Sequence, residues 1–217
     1  MVKVKICGIT TLTDAKNAIK VGADYIGMIV EVPVKSPRKI SLQQAKSIVS
    51  QINFNTVAVV MPKIPKEAIK IAHELKPFAL QLHGNESLKN VNILSKSLPE
   101  TVLIKTLRVS NSALDLIKKA LLYTEVGADM ILLDTYVENK AGGTGQTHNW
   151  EISREVKEAL NVPVILAGGL TPKNVVSAIN IVKPFAVDVA SGVEKYPGQK
   201  DYEKMKIFVK AVKGAEK

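Results

Sequence analysis

Short apolar runs rich in β-branched residues recur along the chain, and polar stretches with apolar residues at helical spacing separate them. The runs at 2–7 (VKVKIC), 25–30 (YIGMIV), 55–61 (NTVAVVM), 78–83 (FALQLH), 101–107 (TVLIKTL), 129–134 (DMILLD), 162–168 (VPVILAG) and 186–191 (AVDVAS) read as strands. Near-continuous apolar strands are buried on both faces, which is the signature of a parallel sheet covered by helices. Segments such as LTDAKNAIKVGA, SLQQAKSIVSQI and TPKNVVSAINIV supply the helices between them. Ser41 and Asn149 stand where helix N-caps belong, and Thr171-Pro172 places a proline at an expected first helical position.

Eight strands alternating with eight helices fit either an open doubly wound sheet or a closed barrel. The count and the length of 217 residues favour an α/β chain folded as a (β/α)8 TIM barrel, a single domain over 1–217. The stretches VGADYIGMI (21–29) and VGADMILLD (126–134) repeat one pattern before the second and sixth strands, half a ring apart. No linker or low-complexity region interrupts the series.

Composition narrows the function classes. No run approaches the ~20 apolar residues of a bilayer span. The alternating charges of MVKVKIC do not make a signal peptide, so a cytoplasmic protein with no membrane partner is expected. One cysteine excludes an internal disulfide. The three histidines (His73, His83, His148) are scattered and no CxxC or HExxH occurs, so neither a metal nor a cofactor is expected. The net charge of +10 raises nucleic acid as a partner. Only three of the 30 basic residues are Arg, however, the Lys are dispersed, and no basic-aromatic cluster offers a stacking surface. A solvated surface with no nucleic-acid partner is the better reading.

In such a barrel the active site lies at the C-terminal ends of the strands. The first strand ends in Cys7-Gly8, the fourth in Gln81-Leu82-His83-Gly84, and the sixth in Asp134-Thr135. Arg38 follows the second strand and Arg108 ends the fifth, so two of the three Arg fall on this face. Arg suits bidentate grip of a carboxylate or phosphate. Gly168-Gly169 and Ser191-Gly192 follow the last two strands, where many barrels bind phosphate through backbone N–H groups. The loop AGGTGQT, with Gly142 and Gly143, reads as a connector or a lid. A lone buried cysteine is ordinarily an inert small hydrophobe. Strand alternation nevertheless puts Lys3, Lys5 and Cys7 on one face, expected to be the barrel interior, with Asp188 as the partner of Lys5 and Lys5 lowering the thiol pKa. A partly apolar pocket should raise the pKa of Asp134. His148 reads as a surface residue.

In order from end to end, KICGIT, KSPRKIS, QLHGNES, LLDTY…GGTGQTHNW, LAGGLTPKNV and VDVASGVE resemble the signatures of the phosphoribosylanthranilate isomerases of tryptophan biosynthesis. The resemblance implies an Amadori rearrangement of a small phosphosugar–anthranilate substrate. It makes Asp134 the general acid, Cys7 the general base and Arg38 the group that holds the anthranilate carboxylate, and it gives the phosphate to the glycine loops. Gln81 and His83 are expected at the mouth of the site. Monomer and homodimer both fit. The chain departs from the family pattern at Val34, inserted between Pro33 and Lys35, at Asn85 where Asp is frequent, and at Ala190 where Ser is frequent. Two rivals remain at this level. The first is a different phosphosugar barrel enzyme: an indole-glycerol-phosphate synthase would use a catalytic lysine (Lys5 or Lys105 lie on strands), and a pentose-phosphate epimerase would use metal ligands. The second is a non-enzymatic binder of anionic ligands or nucleic acid, which would account for the charge.

Overall fold

The computed structural model describes residues 1–135 and 147–215. In chain order, β1 (Lys3–Ile6), α1 (Leu12–Lys20), β2 (Tyr25–Val30), the short β3 (Lys39–Ile40), α2 (Leu42–Val49), β4 (Thr56–Val60), α3 (Pro65–Leu75), β5 (Ala79–Leu82) and α4 (Leu88–Ser97) form the first half. β6 (Val102–Val109), α5 (Ala113–Glu125), β7 (Met130–Thr135), α6 (Trp150–Ala159), β8 (Val164–Leu166), α7 (Val175–Val182), β9 (Ala186–Val189), the hairpin β10 (Glu194–Tyr196) and β11 (Gln199–Lys200), and α8 (Tyr202–Gly214) complete it. β1 pairs in parallel with both β2 and β9, so β1, β2 and β4 to β9 close into a barrel ringed by the helices. Each of the eight apolar runs holds one barrel strand.

Local chemistry explains most helix starts. Ser41 accepts from the Gln44 N–H and the Gln44 side chain accepts from the Ser41 N–H, a capping box that opens α2. Pro65 begins α3, where its missing N–H costs nothing, and Asn149 caps α6. The helix after Gly168-Gly169 starts later than Thr171-Pro172 suggests. Asn174 accepts from the Thr171 N–H at 2.7 Å and donates to the Gly169 carbonyl at 3.0 Å, so residues 171–174 form a turn and α7 begins at Val175. The pieces absent from the sequence reading, β3 and the β10–β11 hairpin, are two or three residues long, too short for periodicity to register.

Strand alternation divides the core into two layers. One face of each strand packs on the helices in a large apolar cluster. The other face fills the barrel, where Val57, Ile104, Leu132, Ile165 and Ala186 form a smaller cluster. Above that plug the interior positions turn polar: Lys5 and Cys7 on or just beyond β1, Gln81 on β5, Asp134 on β7 and Asp188 on β9. The fold places these groups at one end by register alone.

Candidate active site

A cavity of about 110 Å³ opens at the C-terminal ends of the strands, and Cys7, Arg38, Gln81, His83, Asp134 and Asp188 all line it. Ile29, Val59 and Leu132 are among its apolar lining, while Gly168, Gly169, Ala190 and Ser191 line it from the last two loops. The structure therefore brings the two expected proton-transfer groups and most of the expected binding groups to one space. Gly142 and Gly143 lie outside the described residues.

Lys5 and Asp188 are directly opposite each other in the β1–β9 register. Their side chains meet inside the barrel, with Nζ 2.9 Å from Oδ2 and Lys5 only 1% exposed. Burial pushes the Lys5 ammonium toward its neutral form more than any one neighbour opposes, but the Asp188 charge and hydrogen bond together with Cys7 outweigh it and leave the pKa raised. The expected pairing is present. Its expected effect on Cys7 is only partial. Burial pushes the Cys7 thiol up, the Lys5 charge pulls it down, Asp188 opposes and Lys200 assists, and the net pKa lies above the ordinary thiol value. The resting cysteine is a thiol because the plug that positions it also removes it from water.

Asp134 behaves as expected. Burial raises its carboxyl to about 6, and the Asp188 charge adds to that, against the Thr135 backbone N–H at 2.9 Å, Arg108 and Lys5. A carboxyl near 6 can hold a proton close to neutral pH and give it up. His83 lies beside it, with Nε2 3.7 Å from Asp134 Oδ2. The Gln81 amide donates to His83 Nδ1 at 3.2 Å and to Thr106 Oγ1, which places the ring proton on Nε2, facing Asp134. Burial and the nearby Lys5, Lys105 and Arg108 charges lower the His83 pKa to about 4, so the ring is neutral.

Two glycines are required by close packing of the loops. Gly168 has φ of +84°, and a Cβ there would strike the backbone and hydroxyl of Thr135. A Cβ on Gly192 would run into the Leu170 carbonyl. The end of β7 and the loops after β8 and β9 thus abut one another.

One residue departs from the sequence reading, and two others, Lys105 and Arg108, gain a defined position. His148 is not a surface residue: Nδ1 lies 3.0 Å from Thr135 Oγ1 and Nε2 2.6 Å from the fully buried Ser153 Oγ, and burial lowers its pKa to about 4. It stands in the motif GGTGQTHNW, but no periodicity marked its partners. Lys105 points out of the barrel, where it pairs with Glu86 and donates to the Gly84 carbonyl at 2.7 Å. Arg108 is exposed at the rim and does not line the cavity. Glu194 and Lys200, unremarked in the sequence, are buried beside Arg38. Among the described residues no group of three or more His, Cys, Asp and Glu is placed to hold a metal ion, and no helix is long and apolar enough to cross a membrane.

Comparison with known proteins bears on this arrangement directly. The family model for N-(5'phosphoribosyl)anthranilate (PRA) isomerase matches residues 4–211. The chain belongs to that family. Curated members include the N-(5'-phosphoribosyl)anthranilate isomerase of Methanocella arvoryzae, 43% identical over 98% of this chain and 99% of that one, and that of Haloferax volcanii, 41% identical over 99% and 95%. A crystal structure of the Thermotoga maritima phosphoribosylanthranilate isomerase superimposes with a TM-score of 0.86 at 38% identity, covering 99% of this chain and all of that one. Another form of that enzyme is described as monomers of a dimeric protein. A family structure holding reduced 1-(o-carboxyphenylamino)-1-deoxyribulose 5-phosphate matches with a TM-score of 0.83 at 37% identity over 99% and 100% of the two chains. Family membership removes the synthase and epimerase rivals.

Proposed function

We infer that the protein isomerises N-(5'-phosphoribosyl)anthranilate to 1-(2-carboxyphenylamino)-1-deoxyribulose 5-phosphate, a step of tryptophan biosynthesis. The observation that carries the mechanism is that Cys7, just past the end of β1, and Asp134, on β7, line one cavity.

Asp134 donates its proton to the furanose ring oxygen. The C1'–O bond breaks with its electron pair going to that oxygen, and the anthranilate nitrogen forms a protonated Schiff base with C1'. A carboxyl poised at about 6 suits this acid role. The Cys7 thiolate then takes the proton from C2'. Electrons move into a C1'–C2' double bond and neutralise the nitrogen, giving an enolamine. Loss of the C2' hydroxyl proton and return of a proton to C1' yield the ketone. C2' is oxidised and C1' reduced within one molecule, so the reaction needs no external redox cofactor. The raised resting thiol also has an account. The Schiff-base cation lies against Cys7 when the proton must leave, and a cation within about 4–6 Å favours the thiolate.

The remaining site residues take supporting roles. Arg38 faces the anthranilate carboxylate. The backbone around Gly168, Gly169, Ser191 and Gly192 receives the phosphate, with Gly142 and Gly143 assigned to substrate from the loop that precedes α6. Neutral His83, oriented by Gln81, keeps a donor beside Asp134 without adding a charge that would hold it ionised. The small phosphosugar–anthranilate is the only partner proposed, with no nucleic acid, for a monomeric or homodimeric cytoplasmic enzyme.

The test is the decay of anthranilate fluorescence when the protein meets substrate generated in situ. Wild type should remove the signal rapidly, and Cys7→Ser and Asp134→Asn should each slow it by on the order of 10²–10⁴-fold, the usual worth of a positioned acid or base. No turnover by wild type would refute the reading.

A further inference from the structure

The side chain assigned to the substrate carboxylate is already engaged by a carboxylate of the protein. Arg38 Nε donates to Glu194 Oε1 at 2.8 Å and Nη2 donates to Oε2 at 2.7 Å, a bidentate pair whose members are 13% and 5% exposed. Lys200, with no exposure, donates to Glu194 Oε1 at 2.9 Å and to the Ala190 carbonyl at 3.0 Å. Burial would raise the Glu194 carboxyl, but the Arg38 hydrogen bonds and the Lys200 charge outweigh it and hold it below the usual range.

Taking Arg38 as the carboxylate-binding group, as proposed above, we propose that Glu194 is the positioning residue that aims it. Three contacts fix the arginine. Its head is locked by Glu194 on the β10–β11 hairpin. Its stem crosses Gly8, where a Cβ would lie 2.8 Å from Arg38 Cδ. The preceding Pro37 abuts Gly198, whose carbonyl accepts from Thr10 Oγ1 at 2.8 Å. The hairpin is pinned in turn by the Lys200 N–H to Asp14 Oδ2 at 3.2 Å and by Lys204 Nζ to the Glu194 carbonyl at 2.7 Å. A free arginine loses much rotamer freedom when it grips a ligand, and one held in place does not. The pair consumes one edge of the guanidinium and leaves the N–H groups on Nη1 and the outer side of Nη2 for a ligand. Arg38, Lys200 and Glu194 together still carry one net positive charge toward an anion.

The sign of the effect separates this role from simple electrostatics. Removing an anion near an anionic ligand should tighten binding by Coulomb's law. Removing a positioning residue should loosen it. Calorimetric titration can use two probes: reduced 1-(o-carboxyphenylamino)-1-deoxyribulose 5-phosphate and the same compound without its carboxyl group. Glu194→Gln should weaken the first by about tenfold, equivalent to ~1.4 kcal/mol, and leave the second within about twofold. In an Arg38→Met background it should change neither. Retained binding of the second probe certifies that the variant is folded. If Glu194→Gln does not fold, Glu194→Asp, with its shorter reach, should show the same carboxyl-specific loss. Tighter binding of the first probe, equal loss of both, or a loss that persists without Arg38 would overturn the proposal. If Arg38→Met abolishes discrimination between the probes and Glu194→Gln does not, the positioning role alone fails. If Arg38→Met leaves discrimination intact, the assignment of Arg38 fails and the proposal with it.

Discussion

Cys7 occupies the space that Gly27 leaves open: a Cβ on the glycine would lie 2.8 Å from the sulfur, and 3.0 Å and 3.1 Å from Cε and Nζ of Lys5. β2 therefore needs a residue without a side chain where β1 turns two long groups into the barrel. Gly27→Ala should overpack this spot at a cost of about 1–3 kcal/mol. The groups with freedom to shift are the Cys7 and Lys5 tips, so kcat should fall further than stability suggests, on the order of 10²-fold for a displacement near 1 Å. Parallel measurement of kcat and of the unfolding midpoint checks this. Wild-type kcat in the variant would show that the thiol does not depend on the gap.

The Lys5–Asp188 pair is buried, so breaking it from one side should be costly. Lys5→Met strands the Asp188 charge and should destabilise the fold by about 3–5 kcal/mol, whereas Lys5→Met with Asp188→Asn should recover much of that. Lys5 pulls the Cys7 thiol down more than Asp188 pushes it up. The double variant should therefore have a thiol that titrates above wild type in thiolate absorbance. An unchanged or lower titration would mean that Lys5 does not act on Cys7.

These relationships differ in how far the chain itself discloses them. The eight runs, the capping serine at 41 and the interior pairing of Lys5 with Asp188 follow from periodicity, because period two assigns faces and parallel order assigns neighbours. Gly27 carried a signal that the strand pattern left unused: an isolated glycine within YIGMIV marks close approach. The Arg38–Glu194 pair was not, since 156 residues separate its members and the hairpin that joins them is too short to show a pattern. His148 was hidden for a different reason: it precedes α6, where neither strand nor helix period assigns a face. Its partners, Thr135 and Ser153, are set by where the barrel closes and not by spacing. The sign of the Lys5 effect on the thiol was legible, but the net thiol pKa was not, because the neighbouring charge shows in the sequence and the depth of burial that outweighs it does not.

The proton-transfer pair has an inverted order, with Asp134 at about 6 and Cys7 above an ordinary thiol. The competent form carries a proton on Asp134 and none on Cys7, a minority species whose population is constant between the two pKa values. kcat/KM should rise to a plateau near pH 6 and fall only in the thiol range. Below about 6 the thiolate fraction drops tenfold per unit while Asp134 is already protonated. The acid limb thus reports Asp134, although it resembles the titration of a base. In Asp134→Asn the residual kcat/KM should climb through pH 6 without a break. A retained break there would assign the limb to another group.

His148 joins the end of β7 to α6, and through Thr135, whose N–H holds Asp134 Oδ1, it reaches the general acid. Its ring, neutral because burial lowers the pKa to about 4, exchanges one donor and one acceptor with two hydroxyls. The folded protein binds fewer protons at this site than the unfolded chain between about pH 4 and 6.5. The resulting stability is complete above 6.5 and is lost as pH falls toward 4. At about 1.36 kcal/mol per pH unit, the window is worth about 3 kcal/mol. His83 contributes in the same direction, and the raised Asp134 opposes both, so the total curve does not isolate one ring. The difference between wild type and His148→Gln does. Urea unfolding of both should show wild type ahead at pH 7 and the gap closing as pH drops to 4.5. A gap independent of pH would mean that the ring titrates alike in the folded and unfolded chains.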